Sequence, residues 1–138
     1  LIVAVDTNVI IAAVAQWHEQ HVAARRSMDQ LRAQHSLVVP HHALMEAYSV
    51  LTRVPAGIRL APRDALHVIS HLLEDLPVIG LSPGDIWPFI RELANRGIFG
   101  GRIYDAAIAR AARDAGAEAI LTFNVRHFDG EGLQVLTP

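Results

Sequence analysis

Three carboxylates stand where a globular chain has reason to avoid them. Asp6 ends the apolar run Leu1-Ile2-Val3-Ala4-Val5 and is followed at once by Thr7-Asn8. Glu46 sits within Ala43-Leu44-Met45-Glu46-Ala47-Tyr48, and Asp105 within Ile103-Tyr104-Asp105-Ala106-Ala107-Ile108. Acids beside buried segments lose hydration and, if the fold gathers them, repel one another unless a cation compensates. Hard divalent ions prefer carboxylate oxygens, so a shared location implies a magnesium or manganese site. Each acid also has an ordinary structural reading: Asp6 as a helix N-cap, Asp105 as a first-turn acid favoured by the helix dipole, Glu46 as the partner of an Arg such as Arg53.

The elements that must position these acids are well punctuated. Residues 1–5 read as a buried strand and 8–15 as a helix with Asp6 or Thr7 near its cap; a second helix, about 18–35, follows Trp17. Leu37-Val38-Val39 is a short strand closed by Pro40, and Ala43 to Arg53 is a helix ended by Val54-Pro55-Ala56-Gly57. Pro62 suits the first turn of a helix whose apolar positions are Ala65, Ile69, Leu72 and Leu76. Pro77-Val78-Ile79-Gly80 is another strand candidate, and Ser82-Pro83-Gly84-Asp85 opens a helix to about Asn95. A Gly-rich loop, Gly97 to Gly101, leads into an Ala-rich helix over Ile103–Ala115 that Gly116 stops. Ala119-Ile120-Leu121 is a buried strand running into Thr122-Phe123-Asn124, and Gln134-Val135-Leu136 a last edge strand. This alternation predicts an α/β sandwich with a mainly parallel sheet. In such sheets ligands bind beyond the carboxyl ends of the strands, where Asp6 and Asn124 both stand.

Composition narrows the chemistry. The 138 residues, 51% hydrophobic, suffice for one domain over residues 1–138 with a real core. No apolar run approaches the roughly 18 residues of a membrane span, and the N-terminal run is too short and lacks the basic flank of a signal peptide. The expectation is a soluble, cytoplasmic protein with no membrane partner. The chain starts at Leu1 with no Met, as expected if at least one residue is missing.

Cysteine is absent, which excludes disulfides, thiolate zinc sites and cysteine nucleophiles. The 12 basic residues are all Arg, so the lysines of P-loops, Schiff bases and receiver-type phospho-acceptors are missing. A net charge of -2 makes any nucleic-acid contact a local one. Arg25-Arg26 with Arg32 offer such a patch or, more plainly, a solvated helix face. His67 and His71 are four apart, but the Glu of a zinc-hydrolase motif is missing, and the pairs His18-His21 and His41-His42 are no better. Trp17 and Trp87 are assigned to packing, and Gly97–Gly101 to a loop beside the site.

In order along the chain, Val5-Asp6-Thr7-Asn8-Val9, Glu46 in a helix after a Pro-bounded strand, Tyr104-Asp105-Ala106-Ala107-Ile108-Ala109 and Leu121-Thr122-Phe123-Asn124 resemble the signature of PIN-domain ribonucleases. The resemblance spans nearly the whole chain, and the single-domain size is similar to VapC-type toxins. It implies a three-layer sandwich and a magnesium- or manganese-dependent endoribonuclease, dimeric and restrained by a small antitoxin protein. Asp6, Glu46 and Asp105 then match the core catalytic and metal-binding acids, Asp6 and Asp105 holding metal directly and Glu46 directly or through water. Asn8 and Thr122 match positions that orient them. The chain departs from the pattern where many members carry a fourth acid: here stand Asn124, which brings no charge, and His127. Three acids suffice for one metal; the charge for a second is missing. His127 is either a metal or phosphate contact or an ordinary exposed histidine, and Arg102 and Arg126 are candidate phosphate contacts. Two rivals stay open, a non-catalytic PIN-like binding module with a structural cation and a DNA-directed metal nuclease sharing the same site.

Overall fold

The computed structural model describes residues 1–138 and contains one five-stranded sheet in the order β3-β2-β1-β4-β5, every pairing parallel. The strands are β1 (Ile2–Val5), β2 (Ser36–Pro40), β3 (Val78–Ile79), β4 (Ala119–Leu121) and β5 (Gln134–Leu136). The helices are α1 (Thr7–Val14), α2 (His21–Gln34), α3 (His41–Arg53), α4 (Pro62–Leu73), α5 (Ile86–Asn95) and α6 (Arg102–Asp114). From β1 the chain steps outward through β2 to β3 by way of α1–α4, then returns across the sheet to β4 by way of α5 and α6. Right-handed crossovers in opposite directions put the two helix sets on opposite faces, which makes the three layers. No helix is long and apolar enough to cross a membrane.

Local sequence explains the elements that matter most. The central strands read as continuous apolar runs because both faces are covered: Val3, Ala4, Val5, Ile120 and Leu121 are fully buried. Alanines on α6 (Ala106, Ala109, Ala111, Ala112) are buried and let that helix lie close. It ends where Gly116 takes a positive φ and the Ala117 amide reaches back to the Ala112 carbonyl at 2.9 Å. A smaller cluster of Phe89, Leu93 and Ala106 joins α5 to α6.

Several local expectations need correction. The second helix starts at His21, because Trp17 to Gln20 form turns and Gln20 offers no side-chain cap. Leu76 lies beyond α4, and Pro83–Asp85 is a separate 3-10 turn before α5. Trp17 and Trp87 do not pack inside; they are 44% and 68% exposed. Arg32 is not free for a partner, being bonded to Asp75 at 2.8 Å and to the Leu72 carbonyl.

Candidate functional site

The strand order reverses between β1 and β4, and the crevice beyond their carboxyl ends is where an open α/β sheet binds ligands. Asp6 follows β1 directly and Thr122 follows β4, side by side because the strands pair in register from Val3 with Ala119 to Val5 with Leu121. The Thr122 hydroxyl donates to Asp6 Oδ2 at 2.7 Å and the Thr7 amide donates to Asp6 Oδ1 at 2.7 Å. Asp6 is therefore both the cap of α1 and a buried carboxylate, only 3% exposed.

The expected supporting residues are also here. Asn8 donates from Nδ2 to Thr122 Oγ1 at 3.3 Å and accepts from the Phe123 amide at 3.1 Å, tying α1 to the end of β4. The Asn124 amide donates to Thr122 Oγ1 at 2.9 Å, while the Asn124 side chain is exposed and forms no hydrogen bond. The Thr122 hydroxyl, with two donors behind it, is fixed with its own proton on Asp6.

Glu46 and Asp105 approach from α3 and α6. Glu46 does not pair with Arg53, which instead donates to Ser49. It accepts from the Thr7 hydroxyl at 3.2 Å and lies 3.5 Å from His42 Nε2, one turn earlier on the same helix. Asp105, in the first turn of α6, lies 3.0 Å from His127 Nδ1, so His127 is not an ordinary exposed histidine. His42 in turn stacks on Tyr104, ring centroids 4.5 Å apart and planes 3° from parallel. Two residue pairs, His42–Glu46 and Tyr104–Asp105, thus meet across the gap between α3 and α6. His42 and Tyr104 are neighbours of these acids that sequence reasoning passed over. The i, i+4 spacing of His42 and Glu46 was the available signal.

Electrostatics bind the three acids into one system. Burial pushes the Asp6 carboxyl up to about 6, against its hydrogen bonds from Thr122 and Thr7, and the charges of Asp105 and Glu46 push the same way. Asp105 is also raised, first by burial and then by Glu46, with His127 and Arg102 opposing. The donor set is all carboxylate oxygen, which suits a hard divalent cation in kind. In spacing it is looser: no group of three His, Cys, Asp or Glu side chains converges closely enough to form a ligand shell. His67 and His71 stack at 6.4 Å without making a metal group. Arg102 and Arg126 are exposed and form no salt bridge.

The chain is similar to known proteins over most of its length. The PIN domain family model matches residues 3–130. Ribonuclease VapC40 of Mycobacterium tuberculosis (strain H37Rv) is 36% identical over 124 residues, 90% of this chain and 87% of the relative. Ribonuclease VapC27 of that strain is 36% identical over 115 residues, 83% of this chain and 80% of the relative. Among solved structures, VapBC2 from Rickettsia felis, bound to a DNA fragment from their promoter, aligns with a TM-score of 0.72 at 17% identity, covering 100% of this chain and 99% of that one. VapC20 of Mycobacterium tuberculosis, a sarcin–ricin loop cleaving toxin, aligns with a TM-score of 0.70 at 19% identity, covering 96% and 98%. At such identities the structures bear on the fold alone.

Proposed function

The chain belongs to the PIN-domain family and is closely related to VapC-type ribonuclease toxins; from that premise we propose that it is a divalent-metal-dependent endoribonuclease acting as the toxin of a toxin–antitoxin pair. The observation that carries this is Asp6, a carboxylate at the reversal point of the sheet that burial pushes toward neutrality, with a smaller push the same way from Asp105 and Glu46. Such an arrangement costs stability unless a cation enters it. Asp6 and Asp105 are the residues to hold magnesium or manganese directly, with Glu46 doing so directly or through water. When bound, the ion supplies Lewis-acid polarisation of the scissile phosphate and activation of water at neutral pH.

The remaining roles belong to the chain itself. Thr122 and the Thr7 amide fix the Asp6 carboxylate by one hydrogen bond on each oxygen. Asn8 braces Thr122, and Thr7 Oγ1 aims Glu46 toward the same crevice. His127 orients Asp105. Arg102 and Arg126, unpaired and exposed beside the crevice residues Asp105 and His127, are suited to phosphate oxygens. The family match over residues 3–130 supports a reading of the chain as one PIN domain.

Restraint by a second, small protein is part of the proposal. The acidic crevice invites a basic side chain, and the outer face of α3 carries exposed Met45 and Tyr48 beside a groove of about 690 Å³ that a partner peptide could fill. Exposed Ile86, Trp87 and Ile90 on α5 suit self-association into a homodimer. The uncharged Asn124 and the loose acid spacing favour one other reading, a non-catalytic binding module. Incubation of the purified protein with RNA and with single-stranded DNA, in manganese or in EDTA, separates the two. The expectation is manganese-dependent RNA cleavage that Asp6→Ala and Asp105→Asn each reduce at least ~100-fold while circular dichroism stays unchanged. Expression alone should arrest growth, Asp6→Ala should not, and the native protein should co-purify with a small basic partner. Variants cleaving at the wild-type rate would remove these acids from the site.

A further inference from the structure

Tyr104 is an unusual residue to find half in water. It immediately precedes Asp105, its ring is stacked on His42 from the facing helix, and 50% of its surface remains exposed. A ring covered on one face leaves its free area on the other face and edge. His42 cannot easily yield, because its Nε2 lies against Glu46 and its helix is rooted in the core through Ala43 and Ala47. The result is a rigid, backed aromatic surface held between two acid-bearing helices at the mouth of the crevice.

The charge of the molecule says what such a surface is for. With a net charge of -2 and no lysine, the chain lacks the electrostatic field by which most RNA-binding proteins hold the phosphate backbone. An acidic crevice repels that backbone further. With few cations to hold phosphates, affinity for RNA has to draw also on contacts indifferent to charge, and base stacking on aromatic rings is one. A role in gluing α3 to α6 would be served better by an aromatic turned inward, as Phe89 and Phe128 are at 5% and 1% exposure.

The geometry points to Tyr104, backed by His42, as a stacking platform for one unpaired base next to the scissile phosphate. This rests on the ribonuclease reading above and deepens it. A base within a duplex is already stacked and out of reach of the ring, so the platform acts on a base that is unpaired in the bound RNA. Arg102, three residues before Asp105 and so on the Asp105 side of the helix, where its charge acts on that carboxylate, is suited to meet the adjoining phosphate.

The test uses the wild-type protein in EDTA and an unstructured RNA oligonucleotide whose cleavage position has been mapped beforehand in manganese. Bases are removed one at a time, leaving the sugar–phosphate chain intact, and the dissociation constant is measured by fluorescence anisotropy. One position beside the cleaved bond should weaken binding about tenfold, the others little. In Tyr104→Leu that penalty should vanish and intact RNA should itself bind about tenfold more weakly, whereas Tyr104→Phe should keep both properties. Manganese affinity by calorimetry should be unchanged in Tyr104→Leu, which separates loss of a base platform from displacement of Asp105. Equal binding by Tyr104→Leu, or a penalty persisting at the same position, overturns the platform while the ribonuclease reading stands. If Tyr104→Leu fails to fold, the scan on wild-type protein decides alone, and a flat scan overturns the proposal. Wild-type protein that neither binds nor cleaves RNA overturns both.

Discussion

At the scale of single residues, Asp6 converts burial into a pH dependence whose sign can be worked out. Its carboxyl is raised from 3.8 to about 6 by the fold, so the folded state favours the protonated form. The stability this lends is complete below the unfolded value and is lost as the pH rises through about 6. At about 1.4 kcal/mol per unit, the loss is on the order of 3 kcal/mol by neutral pH. Without metal, Asp6→Asn should therefore match the wild type well below pH 4 and exceed it by about 3 kcal/mol at pH 7, as urea denaturation would measure. Manganese should raise the melting temperature of the wild type and not of the variant. A variant no more stable at pH 7 than at pH 4, relative to wild type, would mean Asp6 is ionised without strain. Asp6 and Asp105 were legible as special because each interrupts apolar sequence. Their partners were not: His42 and Tyr104 meet only because α3 and α6 converge, and residues 62 apart leave no local trace of that. The role of His127 stayed open for the same reason, because nothing local ties it to Asp105.

At the scale of elements, the sequence was most readable where a signal sits in the chain itself: the apolar runs of β1 and β4, Pro62 at the start of α4, Gly116 after α6. It was least readable where no such signal exists, as at the uncapped start of α2. Nor did it reveal Glu131, an acid 6% exposed in the loop before β5. Arg96, just after α5, meets its carboxylate at 2.5 Å, and Arg113 of α6 lies 3.5 Å from the other oxygen while also bonding the Glu131 carbonyl. This clamp fixes the loop that delivers β5 beside β4, where the Leu136 carbonyl accepts from the Thr122 amide at 2.9 Å. Removing both arginines leaves a buried charge unpaired, and Arg96→Ala with Arg113→Ala should cost about 3–5 kcal/mol. Glu131→Gln should cost less, because the arginines are partly solvated and can return to water. Denaturation in guanidinium would rank the two; the reverse order would assign the loop's stability to something other than this clamp.

For the whole molecule, a near-neutral surface predicts how RNA affinity responds to salt. Two phosphate contacts, from Arg102 and Arg126, imply a slope of roughly -1.4 in the logarithm of affinity against the logarithm of salt, far shallower than for basic RNA-binding domains. Arg126→Ala should flatten it by about 0.7. A steep wild-type slope would mean that many more cations touch the backbone than these two. One feature of the topology also bears on timing. The bond from Thr122 to Asp6 joins residues 116 apart, and strand order places the first strand against the fourth. Contacts so distant along the chain form late, after the intervening segments have been made and folded. A growing polypeptide that has not yet supplied Thr122 has no braced Asp6, and one that stops short of His127 has an unoriented Asp105. A protein of the proposed kind would thus be harmless to the ribosome that is making it, and a prematurely terminated copy would stay harmless for good.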